Sequence, residues 1–220
     1  MSIHEITFPG ETDVYRLARD ELLQAEMELR GKIEEVAALR RNLPLGGLVE
    51  DYVFEGVNGH VRLSELFAED KSSLVLYSYM FGPNDEQPCP MCSSYLDSAD
   101  GVVTHIERRI NFAVVVRSPL ERVVATARTR GWSNLKLLSA ADNDYAQDFH
   151  TETPDGRQLP ICNVFVKRDD GVHHFWASEM FFAPTEWHPR HVDLLMPLWH
   201  YLDLTPEGRG DFFPSLSYET

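Results

Sequence analysis

Cys89 and Cys92, two residues apart in Cys89-Pro90-Met91-Cys92, are the side chains of this chain best suited by type and spacing to do chemistry. They follow an apolar run, Leu74-Val75-Leu76-Tyr77-Ser78-Tyr79, with the composition of a buried strand, and they open a stretch of helical spacing. At a helix start the unpaired backbone N–H groups favour an anion, so the first sulfur is biased toward thiolate. The second lies one turn further on and can close a small disulfide ring with the first. Two chemistries suit this spacing: reversible dithiol–disulfide exchange, and one half of a zinc site.

In an exchange reaction Cys89 is the nucleophile, because it stands at the helix start, and Cys92 resolves the mixed disulfide. Pro90 at the first helical position presets the turn. Asp85 and Glu86 are close in sequence and oppose a thiolate if they are also close in space. The zinc alternative needs two more ligands. His188 and His191 offer imidazoles three apart, but nothing in the sequence brings them to Cys89, and His173 and His174 point to opposite faces of a strand. No cofactor is called for. Cys162 lies in an apolar strand and reads as a small buried hydrophobe. Asp142-Asn143-Asp144-Tyr145 opens like a calcium loop but lacks the glycine and the glutamate that complete one; it reads as a helix-capping acidic loop.

The composition narrows the partners. A net charge of −15 over 220 residues repels phosphate, which argues against nucleic acid and against anionic membrane surfaces. No stretch approaches the ~18 apolar residues of a membrane span. The first residues, Met1-Ser2-Ile3-His4-Glu5, have neither a basic region nor an apolar run, so no signal peptide is expected. Three cysteines do not make a secreted disulfide framework. These features point to the cytoplasm, and to a protein or small-molecule thiol or disulfide as the substrate.

The elements that must position the thiols can be read along the chain. Thr12 caps a long helix whose apolar stripe runs through Val14, Ala18, Leu22, Ala25, Leu29, Ile33 and Val36. Thirty helical residues span ~45 Å, more than a small domain needs, so the helix either lies along its own domain or meets a second subunit as a homodimer. Asn42 to Gly47 breaks the helix and serves as linker. Asn58-Gly59 marks a hairpin between residues 51–57 and 60–63, and Asp169-Asp170-Gly171 marks another between 161–167 and 172–176. Between them lie the strand before the thiols, a helix after them, a buried strand over 111–116, a helix from Pro119 to a stop at Gly131, and a short strand over 135–138. A last helix spans about 191–202. The alternating middle implies a parallel segment, and the hairpins add antiparallel strands.

Four ordered stretches resemble one bacterial family: Leu74 to Cys92, Pro119 to Trp132, His174 to Glu179 and Tyr201 to Arg209. It is the thioredoxin-like group of uncharacterised function whose members are described as dithiol–disulfide oxidoreductases. The resemblance implies an α/β thioredoxin-like fold, a mixed sheet flanked by helices, over residues 48–209. Residues 1–47 form a helical extension with its linker, and 210–220 a tail. It also implies that Cys89 and Cys92 occupy the active-site position. Pro160 falls where that fold carries a proline facing the thiols, in cis or in trans, with the Leu159 backbone beside it offered to substrate. Trp176 and Glu179 either line the thiol cleft or belong to a core aromatic cluster with an exposed acid. The chain departs from ordinary thioredoxins in having Gln87-Pro88 before the first thiol, and in having no acid in the strand Leu74 to Tyr79 to manage the second thiol's proton. The peroxiredoxin pattern also fails, with Glu86 three before Cys89 and Pro83 six before it, which ranks peroxidase activity below thiol–disulfide exchange. The alternative to an enzyme is a binding module of the same fold that holds a metal ion or protein partner without turnover.

Overall fold

In a computed structural model, which describes residues 3–184 and 195–218, a 29-residue helix (α1, Asp13–Arg41) precedes an alternating strand–helix segment. The chain divides into two units, residues 1–44 and 45–220. In the first, Thr12 caps α1 by accepting the Tyr15 N–H at 3.2 Å, as the sequence led us to expect. No side chain of α1 is buried. Along its apolar stripe Leu22 is 52% and Leu29 61% exposed, while Val36 is half-buried.

The second unit opens with the hairpin β1 (Val53–Gly56) and β2 (Gly59–Arg62). It continues through β3 (Ser73–Ser78), α2 (Pro90–Ile106), β4 (Asn111–Val116), α3 (Leu120–Arg130), β5 (Leu137–Ser139) and the short α4 (Tyr145–Asp148). The hairpin β6 (Cys162–Arg168) and β7 (Gly171–Ala177) follows, and α5 (Pro197–Leu202) is the last helix. The first residues of the long last helix expected from sequence lie outside the described residues. All seven strands form one sheet, ordered β2-β1-β5-β4-β3-β6-β7. β3, β4 and β5 are parallel, joined by α2 and α3, while β6 runs antiparallel to β3 and β7 to β6. This is the thioredoxin-like arrangement, with β5, β1 and β2 added along one edge and α1 as an extra element. No described helix is long and apolar enough to cross a membrane.

Side chains alternate along each strand, so the sheet has two distinct cores. On one face Tyr77, Tyr79, Phe112, Val114 and Cys162 pack with Leu96 and Val103 of α2, Val123 of α3 and Trp199 of α5. On the other Leu74, Leu76, Val115 and Phe165 pack with Tyr52, Phe54, Leu63 and Tyr145. The breakers act where composition put them. α3 ends at Gly131, whose φ of +77° is the left-handed region that suits a residue without Cβ.

Two details differ from the sequence expectation. The first hairpin turns on Val57-Asn58, with Gly59 already paired to Gly56. Gly59 takes φ +108° there, so the glycine serves as the first residue of the returning strand rather than as the turn tip. The segment read as a linker is also partly structured. Gly46 donates to the His174 carbonyl at 2.9 Å, His174 to Gly47 at 3.0 Å and Val49 to Val172 at 2.9 Å. These bonds cover the β7 edge, which would otherwise present unpaired groups. A Cβ at Gly46 would sit 2.5 Å from the His174 carbonyl oxygen, so the close approach depends on glycine.

Candidate functional site

β3 delivers the chain to the carboxyl end of the sheet, where open α/β folds place their sites. Tyr79 still bonds to β4, its N–H reaching the Val115 carbonyl at 2.9 Å. A loop then leaves the sheet and returns so that the Cys89 N–H donates to the Met80 carbonyl at 3.0 Å. Cys89 is the N-cap of α2 and Pro90 its first helical residue, as expected. The Cys92 N–H points at Cys89 Sγ at 3.5 Å, and the Ser93 N–H donates to the Cys89 carbonyl at 3.0 Å. Ser93 Oγ also donates to that carbonyl at 2.9 Å and accepts from Tyr79 at 2.7 Å, so the side chain just past the end of β3 anchors the turn.

The two sulfurs differ in environment. Cys89 is half-buried, Cys92 is 2% exposed, and both are free thiols. The Cys89 thiol is lowered to about 7. The main cause is the hydrogen bond from Cys92, which outweighs burial, and the backbone N–H groups of Cys92 and Met91 add to it. Cys92 is pushed well above the ordinary thiol range, first by burial and then by the same bond to Cys89. Tyr77 and the Met80 backbone pull the other way by bonding to the Cys92 sulfur. Neither Asp85 nor Glu86 is among the groups acting on Cys89. Asp85 instead folds its carboxylate back to accept the Gly82 N–H at 2.6 Å.

Sequence reasoning missed how the loop before Cys89 is held. Arg122, on the first turn of α3, lays its guanidinium 4.4 Å above the Phe81 ring. It donates to the carbonyls of Gly82 at 3.1 Å and Pro83 at 2.8 Å, and also to that of Asp85. Buried Ser118 adds a 2.7 Å bond to the Gly82 carbonyl. Only the Pro119 helix start hinted at this, by placing a cation one turn into a helix at the same end of the sheet.

Pro160 precedes β6, the strand paired directly with β3. The Ser78 N–H donates to the Ile161 carbonyl at 2.9 Å, so Pro160 falls level with the end of β3, next to where the thiol loop departs. Among the described residues every peptide bond is trans, including Leu159–Pro160. The Leu159 N–H donates to Thr151 at 2.8 Å, and its carbonyl accepts from Ile161 at 3.0 Å. Trp176 packs, half-buried, against the thiol-side core, as Cys89 and Met91 also do. Glu179 is exposed, and its charge acts on His174 on the other face rather than on either sulfur. His173 and His174 diverge as expected, one bonding Asp170 at 3.0 Å and the other Asn163 at 3.1 Å. Cys162 is buried among apolar neighbours, which push its thiol up to about 12. His188 and His191 lie outside the described residues. Among the described residues no three His, Cys, Asp or Glu side chains cluster to hold a metal.

Among solved structures the chain is similar to a PrxQ variant from Xylella fastidiosa at 14% identity, over 73% of this chain and 98% of that one, with a TM-score of 0.48. It is similar to the bacterioferritin comigratory protein of Xanthomonas campestris at 16% identity, over 71% and 94%, with a TM-score of 0.46. A peroxiredoxin-like protein from Aquifex aeolicus matches at 13%, over 61% and 75%, with a TM-score of 0.44. These likenesses assign no activity. No curated protein matches the sequence. A family model, however, matches residues 5–218, nearly the whole chain, and the protein belongs to that family, described as bacterial protein of unknown function (DUF899).

Proposed function

We propose that the protein is a thiol–disulfide oxidoreductase in which Cys89 attacks a substrate disulfide and Cys92 resolves the product. One observation carries this: a half-buried sulfur, lowered to about 7, at the start of α2 with a buried thiol one turn behind it and donating to it. Thiolate at neutral pH, an exposed approach and an adjacent resolving group are what exchange requires. A substrate R–S–S–R′ gives a Cys89–S–S–R bond and releases R′–S⁻, which takes up a proton. Cys92 as thiolate then attacks Cys89 Sγ, the Cys89–Cys92 bond forms, and R–S⁻ leaves. The substrate gains two electrons and the protein loses them.

The substrate is a protein or a small-molecule disulfide, and the setting is the cytoplasm, with neither nucleic acid nor membrane as a partner. α1 adds a face for a second copy of the chain. What favours a copy of itself is the exposure of Val14, Leu22, Leu29 and Ile33 along the stripe together with charge, since α1 carries seven acidic and six basic side chains in a protein of net charge −15. Two such helices do not repel as the rest of the surface does.

Thiol titration tests the exchange chemistry. Mild oxidation should remove two thiols within one chain, and a dithiol reductant should restore them. Cys92→Ser should trap a mixed disulfide on Cys89. Two ordinary thiols near ~8.5 that form no disulfide would reject the proposal.

A further inference from the structure

The loop that leads to the thiols is closed at its base by Cys89 itself, whose N–H donates to the Met80 carbonyl at 3.0 Å. Within it Asp85 and Glu86 stand four and three residues before the sulfur. Four residues of chain reach at most about 14 Å, little more than a screening length of about 10 Å, so neither carboxylate can leave the electrical range of a Cys89 thiolate. Which way they face is decided by the course of the loop. The other titratable groups that face Cys89 are Cys92 of α2 and the phenols of Tyr77 and Tyr79. Among the described residues no carboxylate and no cation acts on its sulfur.

The course of the loop is set from α3. Arg122, stacked 4.4 Å over the buried Phe81 ring, donates to the carbonyls of Gly82 at 3.1 Å and Pro83 at 2.8 Å, and to that of Asp85. Ser118, fully buried, holds the Gly82 carbonyl a second time at 2.7 Å. One planar cation thus pins the loop at three points, which a point charge such as lysine could not do. The Asp85 peptide leads directly into Glu86, so its capture also fixes where that side chain departs. From the other side Asp85 turns its carboxylate back to accept the Gly82 N–H at 2.6 Å. That approach needs a residue without a side chain, since a Cβ at Gly82 would lie 3.0 Å from Asp85 Oδ2.

We infer that Arg122 is a positioning residue for the attacking thiol, fixing the loop so that the Asp85 and Glu86 carboxylates keep off Cys89 and leave its thiolate free to form. The inference rests on the exchange chemistry proposed above. Arg122 takes no part in bond making or proton transfer, because its guanidinium is directed at backbone oxygens of the loop.

Alkylation of Cys89 by iodoacetamide across pH, with the modified peptide identified by mass, reads the thiol without any disulfide substrate. Arg122→Gln should raise its midpoint by about half to one pH unit, the effect of one or two released charges acting across about 10 Å of partly screened surroundings. The shift should shrink in 1 M salt, where the screening length falls to about 3 Å. Adding Asp85→Asn and Glu86→Gln to that variant should return the midpoint, whereas the same two changes in the unaltered protein should leave it in place. Gly82→Ala keeps the guanidinium and α3 intact but displaces the Asp85 carboxylate, and it should raise the midpoint too. No shift in either variant, a shift with Arg122→Gln alone, or a shift that neutralising the two carboxylates does not reverse would overturn the role of Arg122. An unaltered protein whose Cys89 titrates near ~8.5 would instead overturn the exchange chemistry, and this inference with it.

Discussion

Along β3 and the residue that follows it, Tyr77 and Tyr79 turn toward the thiol-side core, while Leu74 and Leu76 turn toward an aromatic cluster on the opposite face. On the thiol face the Tyr77 ring packs edge-on against Tyr95 of α2, and the Tyr79 hydroxyl reaches the Ser93 hydroxyl that holds the Cys89 carbonyl. On the far face Tyr145 lies within 5.0–5.4 Å of Phe149 and Phe54, and polar groups close on one another. There the Asn163 amide donates to the Tyr145 hydroxyl at 3.2 Å, and His174 Nε2 contacts the Asn163 carbonyl oxygen at 3.1 Å. One strand thus divides reactivity from stability by residue parity. Perturbing one face should leave the other's observable nearly untouched.

The largest effect on the thiol side should come from Cys89→Ser. Disulfide exchange should fall to the buffer background while the unfolding midpoint in urea barely moves. The far face should behave inversely: Phe165→Ala removes a fully buried ring and should lower stability by about 3–5 kcal/mol, yet thiol alkylation should still titrate near 7. A large shift of that midpoint would show that the two faces are coupled. Asn163→Leu should cost about 1–3 kcal/mol, because it leaves the Tyr145 hydroxyl and the His174 ring without their shared partner.

Stability against pH should separate the faces as well. Cys89, lowered in the folded state, contributes stability that is present above the unfolded thiol value and lost as pH falls through about 7. Cys92, raised by burial, contributes the opposite slope, with stability falling as pH rises above the unfolded value. Cys89→Ser should remove the first slope and keep the second, which burial dominates, whereas Cys92→Ser should remove the second and also weaken the first, whose main cause is the Cys92 hydrogen bond. His174, lowered chiefly by burial, makes the far face sensitive on the acid side, where stability declines as pH drops below the ordinary imidazole value. Smallest of all should be Leu22→Ala with Leu29→Ala on α1, within about 0.5 kcal/mol for the monomer because neither residue is buried. Sedimentation of the same variant should nevertheless show a weakened dimer. An unaltered protein that sediments as a monomer would remove α1 as a pairing face.

The site was legible in outline because its signals are local. A thiol pair at a strand–helix junction specifies the N-cap, the first-turn proline and the order of burial, and Gly131 marks its helix end without help from the rest of the chain. What could not be read depends on approach between distant segments. Alternation puts Tyr77 and Leu76 on opposite faces, but which helix residue meets the tyrosine ring depends on how α2 lies across the sheet. Arg122 follows a helix start, and nothing in the sequence ties it to the carbonyls before Cys89. Gly46 read as a breaker because a close approach to β7 leaves no local trace. The Asn58-Gly59 pair signalled the hairpin correctly but not the phase of its turn, which is set by which residue takes the positive φ.

The backbone at Leu159 bears on what the protein can accept. A polypeptide that docks beside a thiol pair as an added strand needs a free donor and acceptor to zip onto. Here the Leu159 N–H already serves Thr151 and the carbonyl already serves Ile161. On the proposed exchange chemistry the Leu159 N–H is not free to pair with a docking strand, and recognition would rest on side chains and on the shape of the opening around Cys89. Compact disulfides should compete on equal terms with unfolded chains, and turnover should be insensitive to methylation of a peptide substrate's amides.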